Sequence, residues 1–173
     1  MTDIVIEDHP EPTYIELIVE ARWNSTEKKE TIINLLKKFL EGDVIEDNRF
    51  DGNYLLIRNS SRDGLQLLGE WVREQQQVDT LRERLFRSIV NNITALYFNR
   101  QAAAMGRISL VDINDNPPNG PVIFQIVSDG LNKIINELTP RTYKGKIVSE
   151  AEWEKIQAQL ARNREKKRRE REL

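Results

Sequence analysis

The sequence predicts a two-layer α+β domain: a mainly antiparallel sheet with helices on one face, followed by a charged C-terminal helix. Three observations predict it. Residues 14–23, YIELIVEARW, alternate apolar and polar side chains at the strand period, so one face of that strand is wet. Asp51-Gly52-Asn53 stands between two β-prone runs, a short-range hairpin signal that makes the flanking strands antiparallel neighbours. Between such runs lie amphipathic stretches with apolar residues three and four apart, each able to cover one face of the sheet.

The elements follow in order. Residues 1–13 hold Pro10, Pro12 and four acidic groups, and are expected to be an extended, poorly ordered lead. After the first strand, Asn24 and Glu27 have the spacing of a helix cap, and Ile32, Leu35, Leu36 and Phe39 line one side of a helix ending at Gly42. Strands over 44–50 and 54–58 form the hairpin. Ser60 or Ser61 caps the next helix, which buries Leu65, Leu68, Trp71 and Val72; the glutamines at 75–77 mark a break. A helix over 78–90 buries Val78, Leu81, Leu85, Phe86 and Ile89, with Arg84 and Arg87 on its outside as phosphate contacts or as a solvated face. Residues 93–98 are β-branched, aromatic and mostly apolar, a strand, and residues 107–111 alternate as a second one. Pro117, Pro118 and Asn119-Gly120 make 111–120 a loop before the strand 122–127. Leu131, Ile134, Ile135 and Leu138 define a helix stopped by Pro140, and RTYKGK is a basic connection. Ser149 with Glu152 is a capping box opening a helix whose apolar positions end at Leu160, with Glu165 and Arg169 spaced as an ion pair. The expected organisation is therefore a lead over 1–13, a domain over 14–146 and a charged tail over 147–173.

The stretch joining the two central strands, YFNRQAAAMGRISL, combines a bend, three alanines that permit close backbone approach, and Gly106. The string NRQAAAMG, the turn PPNGP, the strand VIFQI and the helix LNKIINELTPRT together resemble an archaeal family of uncharacterised proteins labelled RNA-binding. Its members carry Asn-Lys-Gln-Ala-Ala at the matching place, and the likeness runs from about Ile15 to about Gly145. The resemblance implies a fold like the ribosomal protein that holds 5S RNA, and an RNA-binding role. It carries over Asn99, Gln101, Ala102, Ala103 and Gly106, with Arg100 where the family has lysine.

Composition bounds the chemistry. A chain of 173 residues suffices for one domain with a substantial core. It has no cysteine, so there is no disulfide, thiolate zinc site or cysteine nucleophile. His9 is the one histidine and lies in the lead, which rules out a histidine-based triad and a three-histidine zinc site. Phosphate-binding glycine motifs are absent. The expectation is a protein without enzymatic activity and without a cofactor. The loop VDINDNPP offers oxygen ligands at Asp112, Asn114, Asp115 and Asn116 and looks like the calcium linker of cadherins. The all-β repeats of that setting are missing, and an EF-hand register puts Pro117 where glycine belongs, so a turn without metal is expected. An acidic N-terminus without an apolar run is no signal peptide, and no stretch approaches a membrane span, which points to the cytoplasm.

Charge is uneven. Residues 155–173 hold eight basic and three acidic residues, a net +5, whereas the whole chain is at −2, leaving −7 on residues 1–154. An acidic body repels phosphate unless its cations gather on one face. The RNA-binding candidates are Asn99, Arg100 and Gln101 at the bend, Arg107 beyond it, and Arg141, Lys144 and Lys146 in the basic connection, with Tyr97 or Tyr143 available to stack on a base. Against this, Asn99 and Gln101 are equally suited to satisfying backbone groups at the bend. The rival expectation is a structural protein that forms a homodimer through its sheet or tail and binds no nucleic acid.

Overall fold

The computed structural model describes residues 9–112, 114–144 and 146–172. It falls into two compact units, His9–Thr139 and a second one from Pro140 onward.

The first unit is a five-stranded sheet of order β2-β3-β1-β5-β4, with every neighbouring pair antiparallel. Its strands are β1 (Ile15–Trp23), β2 (Val44–Arg49), β3 (Gly52–Asn59), β4 (Ile93–Phe98) and β5 (Val122–Ser128). Alternation in β1 sets the layers. Leu17, Val19 and Ala21 are buried and pair with Ile126, Phe124 and Val122 of β5, while Glu16, Ile18, Glu20 and Arg22 take the other face. Helices α1 (Lys29–Lys37), α2 (Gln66–Glu74), α3 (Val78–Arg87), the short α4 (Arg100–Ala104) and α5 (Leu131–Leu138) contribute their apolar stripes to the core built on the first of these faces. Phe39, just past α1, is fully buried, its ring 4.9 Å from those of Trp71 and Phe98, so three elements lock at one point.

Several boundaries differ from the sequence reading, each for a local reason. Asn24 and Glu27 close a turn, with the Asn24 N–H donating to the Glu27 carboxylate at 2.9 Å, and α1 starts later, at Lys29. The hairpin turn lies at Phe50 and Asp51, because Arg49 pairs with Gly52. The second central strand reduces to one bridge, Phe98 to Leu110, since the alanine run before it coils into α4. The compact unit begins at His9, not residue 14: Glu11 pairs with Arg62 and Lys133, and the Thr13 N–H donates to Asp129 at 2.9 Å. The rest of the expected lead, residues 1–8, lies outside the described residues.

In the second unit, the stretch read as a connection is a two-residue hairpin, β6 (Thr142–Tyr143) with β7 (Lys146–Ile147), turning at Lys144 with φ of 49°. The helix α6 (Glu150–Arg171) starts with both halves of the Ser149 and Glu152 capping box in place. Beyond residue 160 its residues are exposed, held in register by pairs such as Glu165 with Arg169 at 2.7 Å.

Candidate nucleic-acid interface

The Asn99 corner is built as a joint. The Asn99 side chain caps α4 by accepting from the Ala102 N–H at 2.9 Å, and its own N–H donates to the Ser109 carbonyl at 2.8 Å. Ala103 is buried in the core. Lys38 donates to the carbonyls of Ala103 and Ala104, and the Trp71 indole N–H to that of Gly106, so the carbonyl end of α4 is tied to α1 and α2. A small side chain is needed at Ala103, which is buried, whereas Ala104 is exposed.

Arg100 is 6% exposed. One of its terminal nitrogens donates to the Arg22 carbonyl at 2.9 Å and to the Asn119 carbonyl at 2.6 Å, and the other lies 3.4 Å from the Glu27 carboxylate. Burial pushes its pKa down, and Glu27 opposes that shift. It clamps the end of β1 to the loop before β5 and is no surface cation. Gln101 and Arg107 are exposed and make no side-chain hydrogen bond or ion pair among the described residues. Of the four candidates in this unit, only these two present their polar ends freely to solvent, with Asn99 and Arg100 engaged inside the joint.

The remaining three candidates are brought together by the second unit. Arg141 reaches Glu150 at 3.4 Å and stacks over the Trp153 ring at 5.1 Å. Lys144 sits 5.4 Å from the centre of the Tyr143 ring, and exposed Lys146 is the cross-strand partner of Tyr143. Residues 140–173 carry 11 basic and 6 acidic residues, net +5, whereas residues 9–139 carry 15 and 19, net −4; the other three acids, Asp3, Glu7 and Asp8, lie outside the described residues.

A third feature lies along the outer edge of β4. The last turn of α3, the turn after it and residues 110–112 enclose a groove of about 750 Å³ lined by Arg84, Arg87, Asn91, Ala95, Tyr97 and Gln125, among others. It holds together because α3 is stitched to β4: Thr94 donates to the Leu85 carbonyl at 2.7 Å, and Ser88 Oγ donates to the Ala95 carbonyl at 3.0 Å. Arg84 is committed to Asp112. Arg87 is 62% exposed, with Glu83 3.8 Å away as its ion partner. Tyr97, Arg84 and Arg87 are each visible in the sequence, but their convergence is not. Gln125 had one signal, as the polar residue at an outward position of the otherwise apolar run VIFQIV. In the loop considered for calcium, Asp112 is held by Arg84 and Asp115 accepts from the Asp112 N–H at 3.1 Å. Among the described residues no acidic or histidine group is arranged to hold a metal, and no helix is long and apolar enough to cross a membrane.

No family model matches the chain. A UPF0201 protein of Sulfolobus acidocaldarius is 34% identical over 130 residues, spanning 75% of this chain and 90% of that one. The chain belongs to the UPF0201 family. Another UPF0201 protein, from Pyrobaculum arsenaticum, is 30% identical over 79% of this chain and 96% of its own. Among solved structures, the 2.2 Å crystal structure of the UPF0201 protein from Methanococcus jannaschii superposes with a TM-score of 0.61, at 25% identity over 78% of this chain and 99% of that one. A second UPF0201 crystal structure, at 20% identity, has a TM-score of 0.60 and bears on the fold alone. The archaeal family and the α+β architecture expected from NRQAAAMG and the strands around it are thus established. The Sulfolobus and Pyrobaculum matches cover 75% and 79% of this chain and 90% and 96% of their own, so the chain is longer than those two relatives.

Proposed function

We propose that this UPF0201 protein is a non-catalytic, cytoplasmic RNA-binding protein, on a fold akin to the ribosomal protein that holds 5S RNA. The observation that carries the reading is the separation of charge between the two units. A body at −4 repels phosphate as a whole, while the unit from Pro140 onward gathers +5 on a small hairpin and a solvent-exposed helix. Lys144 and Lys146 at the hairpin, and the seven basic residues from Arg162 onward, supply phosphate contacts without base selectivity. Gln101 and Arg107 add an amide and a free cation on the other unit. Arg100 is left out, because its guanidinium is consumed by two carbonyls and a carboxylate. The test is retention on RNA as salt is raised, with binding that weakens steeply supporting phosphate contacts and salt-independent behaviour opposing them.

A second reading is favoured by the sheet face opposite the helices. Its arginines are neutralised in place, Arg49 by Glu20 and Asp47 and Arg58 by Glu16, while Arg22 donates to the Asp51 carbonyl. Ile18, Ile45 and Ile123 lie among them, at least partly exposed. A charge-balanced, partly apolar face suits a second copy better than phosphate. Equilibrium sedimentation of the wild type and Ile45→Lys decides that reading: a dimer that the lysine disrupts supports it, and a monomer at every concentration removes it.

A further inference from the structure

We infer that the groove along β4 takes an unpaired nucleotide of an RNA strand, with its base against Tyr97 and its phosphate at Arg87; this rests on the RNA-binding reading and assigns it a second, base-contacting site. Four observations converge. The volume, about 750 Å³, lies within the range of sites for small organic ligands and exceeds what one side chain would fill. Tyr97 is half-buried on the sheet face away from the helices, opposite Ile123, so the strand directs its side chain to that face and leaves it partly open to solvent. Two residues back, Ala95 stands where a larger side chain would close the space beside the ring, and Gln125 lies across the ladder from it with an amide that offers both a donor and acceptors. On the rim, Arg84 is already neutralised by Asp112, which leaves Arg87, largely exposed and in a solvent-facing pair with Glu83 at 3.8 Å, as the cation facing the groove.

This chemistry selects single strands. A base inside a duplex shows its edges but not its face, so stacking on Tyr97 requires a base that is free of its neighbours. One available arginine matches one phosphate, so the groove adds little to the salt dependence set by the C-terminal unit, and the two contributions separate experimentally. A protein partner would need wide apolar burial, whereas this lining mixes Arg87, Asn91 and Gln125 with Val90, Ile93 and Ala95.

The experiment uses the full chain with a short labelled RNA strand and with the same strand annealed to its complement, read by fluorescence anisotropy. Tyr97→Leu is expected to weaken the single strand about 5- to 150-fold, the range of one lost base stack, and to change the duplex by less than about twofold. Tyr97→Phe retains single-strand affinity, and Arg87→Gln reduces the salt slope by about 0.7. In the wild-type protein, the amide resonances of Ala95, Tyr97 and Gln125 shift on adding the single strand, a reading that stands if Tyr97→Leu does not fold. Equal loss for strand and duplex, no loss for either, or unmoved amides overturns the groove assignment while leaving phosphate binding intact. A change in molecular mass with Tyr97→Leu in place of a change in RNA affinity also overturns it, by showing that a second copy covers the groove. If the wild type binds neither strand nor duplex at low salt, the RNA-binding reading itself falls.

Discussion

Replacing Arg100 with leucine separates a structural joint from an RNA contact. The guanidinium donates to the Arg22 and Asn119 carbonyls at 2.9 and 2.6 Å and lies 3.4 Å from Glu27, in a site where Arg100 is 6% exposed. A hydrogen bond to a charged group contributes about 1.5–3 kcal/mol, so stranding two carbonyls costs about 3–6 kcal/mol. Removing one member of a buried pair costs about 3–5 kcal/mol by itself, and the two estimates count the same loss. A destabilisation of about 3–5 kcal/mol follows. For a chain of this length each kcal/mol moves the melting temperature by about 2–4 °C, so Arg100→Leu is expected to melt about 6–20 °C below the wild type. Differential scanning calorimetry measures it, alongside RNA retention at a temperature where both proteins are folded. The expected outcome is a large thermal shift with RNA affinity within about twofold of wild type. A variant that melts within about 2 °C of the wild type and loses RNA would refute the assignment and return Arg100 to the surface.

Three further outcomes follow from other parts of the structure. Ser149→Ala removes the hydroxyl that accepts from the Glu152 N–H at 3.2 Å, costing the start of α6 about 0.5–2 kcal/mol and raising amide exchange in its first turn. Ala103→Leu adds bulk where the side chain is 1% exposed and is expected to destabilise by about 1–3 kcal/mol in urea unfolding, whereas Ala104→Leu, exposed, changes little. Acid is expected to release the segment ahead of β1. Hydrogen bonds from Thr13 hold the Asp129 carboxyl below its usual range, and those from Lys133 and then Arg62 do the same for Glu11. Both groups fold as carboxylates, so this anchoring is complete above the unfolded value near pH 4 and is lost as pH falls through the lower folded values. Limited proteolysis at residues 9–14 should therefore accelerate below about pH 4 and stay constant between about pH 5 and 8.

Where side-chain period decides an element, the sequence is enough. The alternation in YIELIVEARW places β1 and its wet face, Ser149 caps α6, and Ser61 caps a short 3-10 turn, Arg62–Leu65, that leads into α2. It fails where distant partners decide the outcome. Asn24 and Glu27 form their hydrogen bond, but it closes a turn ahead of α1, which starts at Lys29. In RTYKGKI the pairing of Thr142 with Ile147 and Tyr143 with Lys146 has too few residues to show a period, so the sequence does not reveal the hairpin. The candidate site divides the same way. That Asn99 satisfies backbone groups at the bend is legible, but a sequence cannot show that Arg100 faces inward, because its partners at positions 22, 27 and 119 come from three separate segments. The groove on β4 assembles residues from α3, two strands and a loop, and only the fold makes them neighbours.

The charge separation between the units is tested most directly by the salt dependence of RNA affinity, measured for the full chain and for a chain ending at residue 161. The truncation removes only residues past the last apolar position of α6. The account predicts a steep negative slope of log affinity against log salt for the full chain, made shallower in the shorter chain by about 0.7 for every phosphate that the tail neutralises. Equal slopes and equal affinities for the two chains would contradict it.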